Sequence, residues 1–205
     1  MDDVLNYFPN LNEIQIKQFK ELQKLYAFWN SQINLISRKD MDFFYEHHVL
    51  HSLGISKIIQ FNNNSRILDV GTGGGFPGIP LAILFPKVHF YLIDSIAKKI
   101  NVVNSIKHDL ELTNVNTSQI RAEDFKEKVD FVVSRAVTKM DSFVPWVKNK
   151  ISSKNNHIIQ NGILYLKGGE LEKELQNFPK AQCFELQDYF TNSFFKTKKV
   201  VYLPL

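Results

Sequence analysis

The segment Arg66-Ile67-Leu68-Asp69-Val70-Gly71-Thr72-Gly73-Gly74-Gly75-Phe76-Pro77-Gly78 decides how this chain is to be read. Ile67, Leu68 and Val70 form a short buried strand around one carboxylate, and four glycines follow within five residues. Pro77 and Pro80 are tolerated only in the first turn of a helix, so the helix starts beyond the glycines and the loop is long. Glycines at 71, 73 and 75 let the backbone turn with positive φ and approach a ligand where any Cβ would collide. The pattern alone is ambiguous, because Gly73, Gly75 and Gly78 also satisfy G-x-G-x-x-G, with Asp94 about 20 residues downstream as in dinucleotide sites. Asp69 tilts the choice. At the end of the strand its carboxylate would repel a pyrophosphate but attract the ammonium of an amino-acid moiety.

Working outward, strands are expected at 66–70, 89–93, 117–121, 129–134 and 162–166, with helices between them, including one over 96–110. That alternation is the signature of a parallel α/β sheet. After a short helix at 170–176, strand-like segments at 182–189 and 198–203 lack a helix-length connection, so a hairpin should bring in an antiparallel strand. Upstream, Leu11, Ile14, Phe19, Leu22, Leu25, Tyr26, Trp29 and Ile33 recur at helical spacing. A second helix is expected after Arg38-Lys39-Asp40, capped by Asp40 and running to about residue 60. The chain thus divides into a helical region, 1–63, and a sheet domain, 64–205. Five parallel strands closed by an antiparallel hairpin resemble the class I S-adenosylmethionine-dependent methyltransferase fold, which is Rossmann-like.

In such a sheet, ligands bind beyond the carboxyl ends of the strands. Asp94 ends the second strand, where an ionised carboxylate can accept from two vicinal ribose hydroxyls; the lesser alternative is that it merely caps the following helix. Arg121-Ala122-Glu123-Asp124 ends the third, on the adenine side, and Glu123 could instead be a first-turn helix acid. Arg135, in Ser134-Arg135-Ala136, ends the fourth strand nearest the reacting group and is the strongest basic candidate. A purely structural pairing of Arg135 with Asp69 or Asp94 stays open.

Composition removes several other classes. The 205 residues are 44% hydrophobic and 22% charged, which excludes disorder. A single cysteine, Cys183, excludes an intrachain disulfide, a redox pair or an iron–sulfur cluster; on a late strand it is expected in the core. No apolar run approaches the ~20 residues of a membrane span, and the acidic start Met1-Asp2-Asp3 is unlike a secretion signal, so a cytoplasmic protein is expected. The net charge is +4, with the basic surplus beyond residue 60. Lys196, Lys198 and Lys199 beside Phe194 and Phe195 suit a polyanionic partner, or else a solvated hairpin edge. His47 and His51 share a helix face but lack a recognisable third ligand, so no metal is expected.

The ordered elements identify the resemblance more closely. Asn34-Leu35, His48 with Ser52-Leu53, the segment from Asp69 to Leu81, Asp94-Ser95 with Lys98-Lys99, Leu110-x-Leu112-x-Asn114, Arg121-x-Glu123, Ser134-Arg135-Ala136 and Leu166-Lys167-Gly168 together resemble the RsmG (GidB) family. That family methylates N7 of a guanine in bacterial 16S ribosomal RNA. The resemblance implies S-adenosyl-L-methionine contact by Gly71, Phe76, Ala122, Glu123 and Arg135, to which the loop reading adds Gly73, Gly75, Asp69 and Asp94. It places His48 on the RNA side or at the contact of the helical region with the sheet. His48, Lys98, Lys99, Lys167, Lys198 and Lys199 are the candidate RNA contacts. The family commonly has Lys-Arg where this chain has Lys98-Lys99, so a phosphate there would meet point charges only.

The chemistry fits independently. Guanine N7 carries a lone pair and no proton, so its methylation is a direct in-line displacement without a general base, and no catalytic His or Cys is expected. Arg135 is the one candidate catalytic residue, and positioning is the main task. Ribosomal RNA or the small subunit is the implied partner, with the protein expected as a monomer. The competing readings are an NAD-dependent oxidoreductase and a non-catalytic ribosome- or RNA-binding module.

Overall fold

The computed structural model describes residues 1–205, the side chain of Arg38 excepted. Seven strands, β1 (Arg66–Val70), β2 (His89–Asp94), β3 (Val115–Gln119), β4 (Phe131–Arg135), β5 (Gly162–Gly168), β6 (Gln182–Glu185) and β7 (Lys198–Pro204), form one sheet. Its order is β3-β2-β1-β4-β5-β7-β6. The first five strands pair in parallel, and β7 runs antiparallel to both β5 and β6. Because β1 pairs β2 on one side and β4 on the other, chain order reverses there, and a crevice opens above the carboxyl ends of these strands. Ile67, Leu68, Val132 and Val133 are fully buried, as strands covered on both faces must be.

Several boundaries differ from expectation: β4 starts two residues after the expected 129, and β6 ends four residues before the expected 189, where a 3-10 turn at Leu186–Asp188 takes over. β3 begins and ends two residues before the expected 117–121. Asn114 sets that register, its buried amide donating to the carbonyls of Ala82, Phe85 and Val88 at 3.0–3.2 Å. The second helix is not continuous either. Ser37, not Asp40, caps it, accepting from the Asp40 amide at 3.2 Å. The chain then passes through an α-helical turn at Arg38–Met41, a π-helical turn at Tyr45–Leu50, a further turn at His51–Leu53 and a 3-10 turn at Gly54–Lys57.

The helix Glu13–Gln32 starts with a capping box in which Asn12 and Gln15 exchange bonds. Its face of Phe19, Leu22 and Tyr26 is fully buried. Gln15 also donates to Ile83 O and Leu84 O at 2.9 and 3.0 Å, which satisfies orphan carbonyls at the end of helix Gly78–Leu84. One hydrophobic cluster joins Phe19 and Tyr26 to Ile67, Phe90 and Val133, so the core crosses the boundary at residue 63. Among the described residues no helix is long and apolar enough to cross a membrane.

That continuous core has a measurable consequence. Phe19→Ala is expected to cost ~3–5 kcal/mol, and urea unfolding followed by tryptophan fluorescence and by far-UV circular dichroism should show one coincident transition. Two separated transitions would mean that the helical region folds apart from the sheet.

Candidate active site

The glycine loop is held from three sides. From behind, Asp69 Oδ2 accepts from Thr72 Oγ1 at 2.7 Å and from the Gly78 amide at 2.8 Å. From β2, Asp94 Oδ2 accepts from the Gly73 amide at 3.0 Å, while its Oδ1 accepts from the Ile96 amide at 2.9 Å. From the helical region, Tyr26 donates its hydroxyl to Gly74 O at 2.5 Å. Gly71 and Gly75 lie at φ +66° and +98°, a region where a side chain is strained. A Cβ on Gly71 would come within 2.5 Å of Val137 Cγ2.

Val137 reaches that position because Ala136, also at positive φ (53°), turns the chain at the end of β4. The Tyr165 hydroxyl secures the turn, accepting from the amides of Val137 and Thr138 at 3.0 and 2.9 Å and donating to Thr138 O at 2.9 Å.

Above the carboxyl ends of β1, β2 and β4 lies an open cavity of about 480 Å³, lined by Gly71, Gly73, Phe76, Asp94, Ala122 and Glu123, with Arg135 at one end. This volume suits a nucleoside-sized ligand. Two expected members stand outside the lining. Gly75 faces Ile79 and Tyr26. Asp69 is fully buried, because its carboxylate is spent bracing the loop; burial pushes its pKa up to about 7 against the opposing bonds from Thr72 and Gly78. Asp94 bonds the backbone ahead of the helix and also lines the cavity.

Arg135 is the unusual charge. It donates to His47 O at 3.3 Å and from Nη2 to His48 Nδ1 at 3.1 Å, and its guanidinium stands 4.9 Å from the Phe76 ring centroid. Among the described residues it has no carboxylate within 4 Å, so pairing with Asp69 or Asp94 is not its role. Burial pulls its pKa down to about 10, which leaves it charged at neutral pH. Half-buried and without a counter-ion, this guanidinium is only partly solvated, and the N–H groups it has left can take an anion.

Arg135 and Ala136 also line a second cavity, again about 480 Å³, above β4, β5 and β7. His47, His48, His51, Lys167, Glu174 and Lys198 face it. Lys167 pairs with Glu174 at 2.7 Å, and Lys198 stands 4.6 Å over the Phe194 ring. The candidate RNA lysines therefore separate. Lys167 and Lys198 line this cavity, and Lys99 lines the first, 3.9 Å from Asp94. Lys98 is exposed outside both. Lys199, one residue along β7, is turned away and pairs with Glu185 at 2.7 Å. Ser52 is buried and donates to His48 O at 2.6 Å, a helix-internal role. Cys183 is exposed on edge strand β6, not in the core as expected.

Sequence reasoning missed Ile120, Val137 and Trp146 around the first cavity and Glu174 around the second, whereas Phe194, singled out beside the lysines, does line the second. Apolar lining carries no local pattern that separates it from core. Glu174 had a signal, being an acid in a short helix just after a strand end.

The description GidB, rRNA small subunit methyltransferase G, matches residues 15–201. Ribosomal RNA small subunit methyltransferase G of Flavobacterium johnsoniae is 58% identical over 205 residues, covering 100% of this chain and 98% of its own. The protein of the same name from Phocaeicola vulgatus is 52% identical over 206 residues, with 100% and 99% covered. Among solved structures, a SAM-dependent methyltransferase from Aquifex aeolicus aligns with a TM-score of 0.59 at 16% identity, over 82% of this chain and 98% of that one. Precorrin-6y C5,15-methyltransferase from Geobacter metallireducens aligns at 0.56 and 12%, over 84% and 92%. At such identities the likeness is one of fold, and the fold is class I, Rossmann-like.

The raised pKa of Asp69 has a sign that can be tested. Between an unfolded value near 4 and the folded value of about 7, the folded state holds a proton that the unfolded state has released, so raising pH destabilises it. Measured by urea unfolding at a series of pH values, the stability of the wild type relative to Asp69→Asn should fall from pH 4 to about 7 and then level off. A flat difference would show that the carboxylate is ionised throughout.

Proposed function

The chain belongs to the GidB family of small-subunit rRNA methyltransferases, and on that footing we propose that it transfers a methyl group from S-adenosylmethionine to N7 of a guanine in 16S ribosomal RNA. The observation that carries this reading is Arg135, a half-buried guanidinium without a carboxylate within 4 Å among the described residues, standing where a nucleoside-sized cavity meets a second one.

The first cavity suits the cofactor on its own features. The Gly71 and Gly73 backbone, free of Cβ atoms, forms a floor that a nucleoside can approach. Asp94 has lone pairs left for ribose hydroxyls, Ala122 and Glu123 flank the place of the adenine, and Arg135 meets the α-carboxylate. S-adenosylmethionine bound there supplies an electrophilic sulfonium methyl.

The chain's own residues then have one task, to hold the base in line with that methyl. Guanine N7 presents a lone pair and no proton, so no side chain has to take one up. Suitable fixation of the reacting atoms can supply ~7–11 kcal/mol. His48 is suited to this work as a neutral group. Burial, helped by Arg135, pushes its pKa down to about 3, so it does not add a cation near the reacting centre. The base enters the second cavity, where Lys167 and Lys198 supply positive charge for the RNA backbone, with Lys98 and Lys99 outside it for a neighbouring strand. Because A-form major grooves are too narrow for side chains, the target guanine is unpaired or in a distorted loop.

The test uses tritiated S-adenosylmethionine and small subunits that lack the modification. One guanine should become labelled and cleavable by borohydride and aniline, and Arg135→Leu should lose both labelling and adenosylhomocysteine binding by calorimetry. Adenosylhomocysteine at 100 times its dissociation constant should stabilise the wild type by ~2.7 kcal/mol. Stabilisation by NAD in its place would make the protein an oxidoreductase, and RNA binding without turnover would make it a binding module.

A further inference from the structure

The segment 136–140 leads from β4 into the helix Met140–Val147. Its Ala136 and Val137 line the first cavity, as does Trp146 on that helix. Little of the segment's own chemistry holds it in place. Ala136 sits at φ 53°, and Val137 is 37% exposed. Lys139, at the N-cap of the helix, makes no side-chain cap bond, since an ammonium can only donate where the helix needs an acceptor.

Three side chains from elsewhere supply the bonds. The Tyr165 hydroxyl holds the amides of Val137 and Thr138. Lys167 lies two residues further along β5, hence on the same face, and its Nζ donates to Thr138 O at 2.8 Å and to Glu174 Oε1 at 2.7 Å. Glu174, on the short helix Glu172–Leu175, accepts with that same oxygen from the Met140 amide at 2.8 Å. One carboxylate oxygen therefore caps the helix and holds the lysine against the turn before it. A carboxylate is also what the dipole of a helix favours at its N-terminus. The Lys167 and Glu174 side chains are only 10% and 16% exposed, so water weakens these bonds little.

Glu174 faces the second cavity, yet the groups it binds lead to the first. Val137 lies so close to the glycine loop that a Cβ on Gly71 would come within 2.5 Å of its Cγ2. A shift of the turn therefore moves a side chain that rests against that loop, and a shift of the helix moves Trp146. Removing the acid leaves the Met140 amide without its acceptor and Lys167 without its counter-ion.

We propose that Glu174 is a positioning residue for S-adenosylmethionine: acting through the Met140 amide and Lys167, it fixes Val137 and Trp146 at the wall of the cofactor cavity. This rests on the methyltransferase reading above and adds to it a residue outside the cofactor cavity that sets cofactor affinity.

Calorimetry with adenosylhomocysteine on the folded, full-length protein tests it. Glu174→Leu should raise the dissociation constant on the order of tenfold. Glu174→Gln, whose side-chain oxygen can still accept from Met140 and Lys167, should restore most of the affinity. Trp29→Phe leaves Trp146 as the one tryptophan; in that background acrylamide should quench the emission of the Glu174→Leu protein more strongly than that of its parent, because the helix carrying Trp146 is no longer capped. A merely structural role would lower the melting temperature and leave the dissociation constant of the folded protein unchanged, and that outcome overturns the proposal. So does a glutamine variant as weak as the leucine one, since the acceptor would then be irrelevant. If Glu174→Leu does not fold, Glu174→Asp decides. It keeps the charge but is one methylene too short to hold both partners, so weaker binding supports the proposal and an unchanged dissociation constant overturns it. Failure of the wild type itself to bind adenosylhomocysteine would remove the methyltransferase reading, and this proposal with it.

Discussion

The carboxylate of Asp69 ties together the end of a central strand, the loop that follows and the start of the next helix. Its Oδ2 accepts from Thr72 and from Gly78, spanning a segment whose glycines would otherwise be free to wander. Fully buried, the group is expensive to ionise, and its pKa rises accordingly. The two bonds and the charge on Arg135 partly offset that cost. The constraint therefore links the shape of the loop to the electrostatics of the cavity floor, although Asp69 itself does not line the cavity. It also explains why the helical region cannot be treated as an appendage. The hydroxyl of Tyr26 closes the same loop from the opposite side, on a helix whose apolar face is continuous with the sheet.

The sheet order then divides the carboxyl-end surface in two. The first cavity spreads over β1 and β2 and the second over β5 and β7, and β4 belongs to both through Arg135 and Ala136. Ala136 adopts the left-handed conformation at a cost of about 1 kcal/mol or more. That turn drops Val137 onto Gly71 and presents two amides to the Tyr165 hydroxyl. Two reactants held in separate cavities can meet only at such a junction. Strain placed there, and secured by a buried tyrosine from the neighbouring strand, keeps the junction open without a bulky side chain.

Most of the fold was legible because its determinants are local. The run Ile67-Leu68-Asp69-Val70, the glycines and the two prolines each constrain φ or burial within a few residues, and the alternation beyond them admits few topologies. The displaced edge of β3 was not legible, since a single amide at Asn114 reaching three distant carbonyls sets the register. The π-helical turn at Tyr45–Leu50 left no trace in hydrophobic spacing either. In the site, Gly71, Asp94 and Arg135 declared themselves by type and by position at or just after strand ends, whereas Phe76 entered only through the resemblance to the RsmG family. Asp69 was assigned to the right loop but to the wrong side of it, because spacing does not reveal which face of a strand end a carboxylate turns to. Lys198 and Lys199 show the same limit, being adjacent in sequence and on opposite faces of β7, one at a cavity and one paired to Glu185.

The charge distribution around the second cavity bears on more than entry. Lys167 is matched by Glu174 at 2.7 Å, while His48 and His51 are kept neutral by burial. Close to the proposed position of the base, Arg135 and Lys198 are thus, among the described residues, cations without a carboxylate within 4 Å, and Arg135 stands nearer the cofactor cavity. A guanine held there is neutral, and the cation beside it costs little. Methylation at N7 makes the purine a cation, and Coulomb repulsion between like charges in a partly dehydrated site is several times stronger than in water. The arrangement that tolerates the substrate thus disfavours the product, and the neutral histidines matter for the earlier stage. Had either been protonated, the same repulsion would have weighed on the transition state, in which positive charge is already passing into the ring.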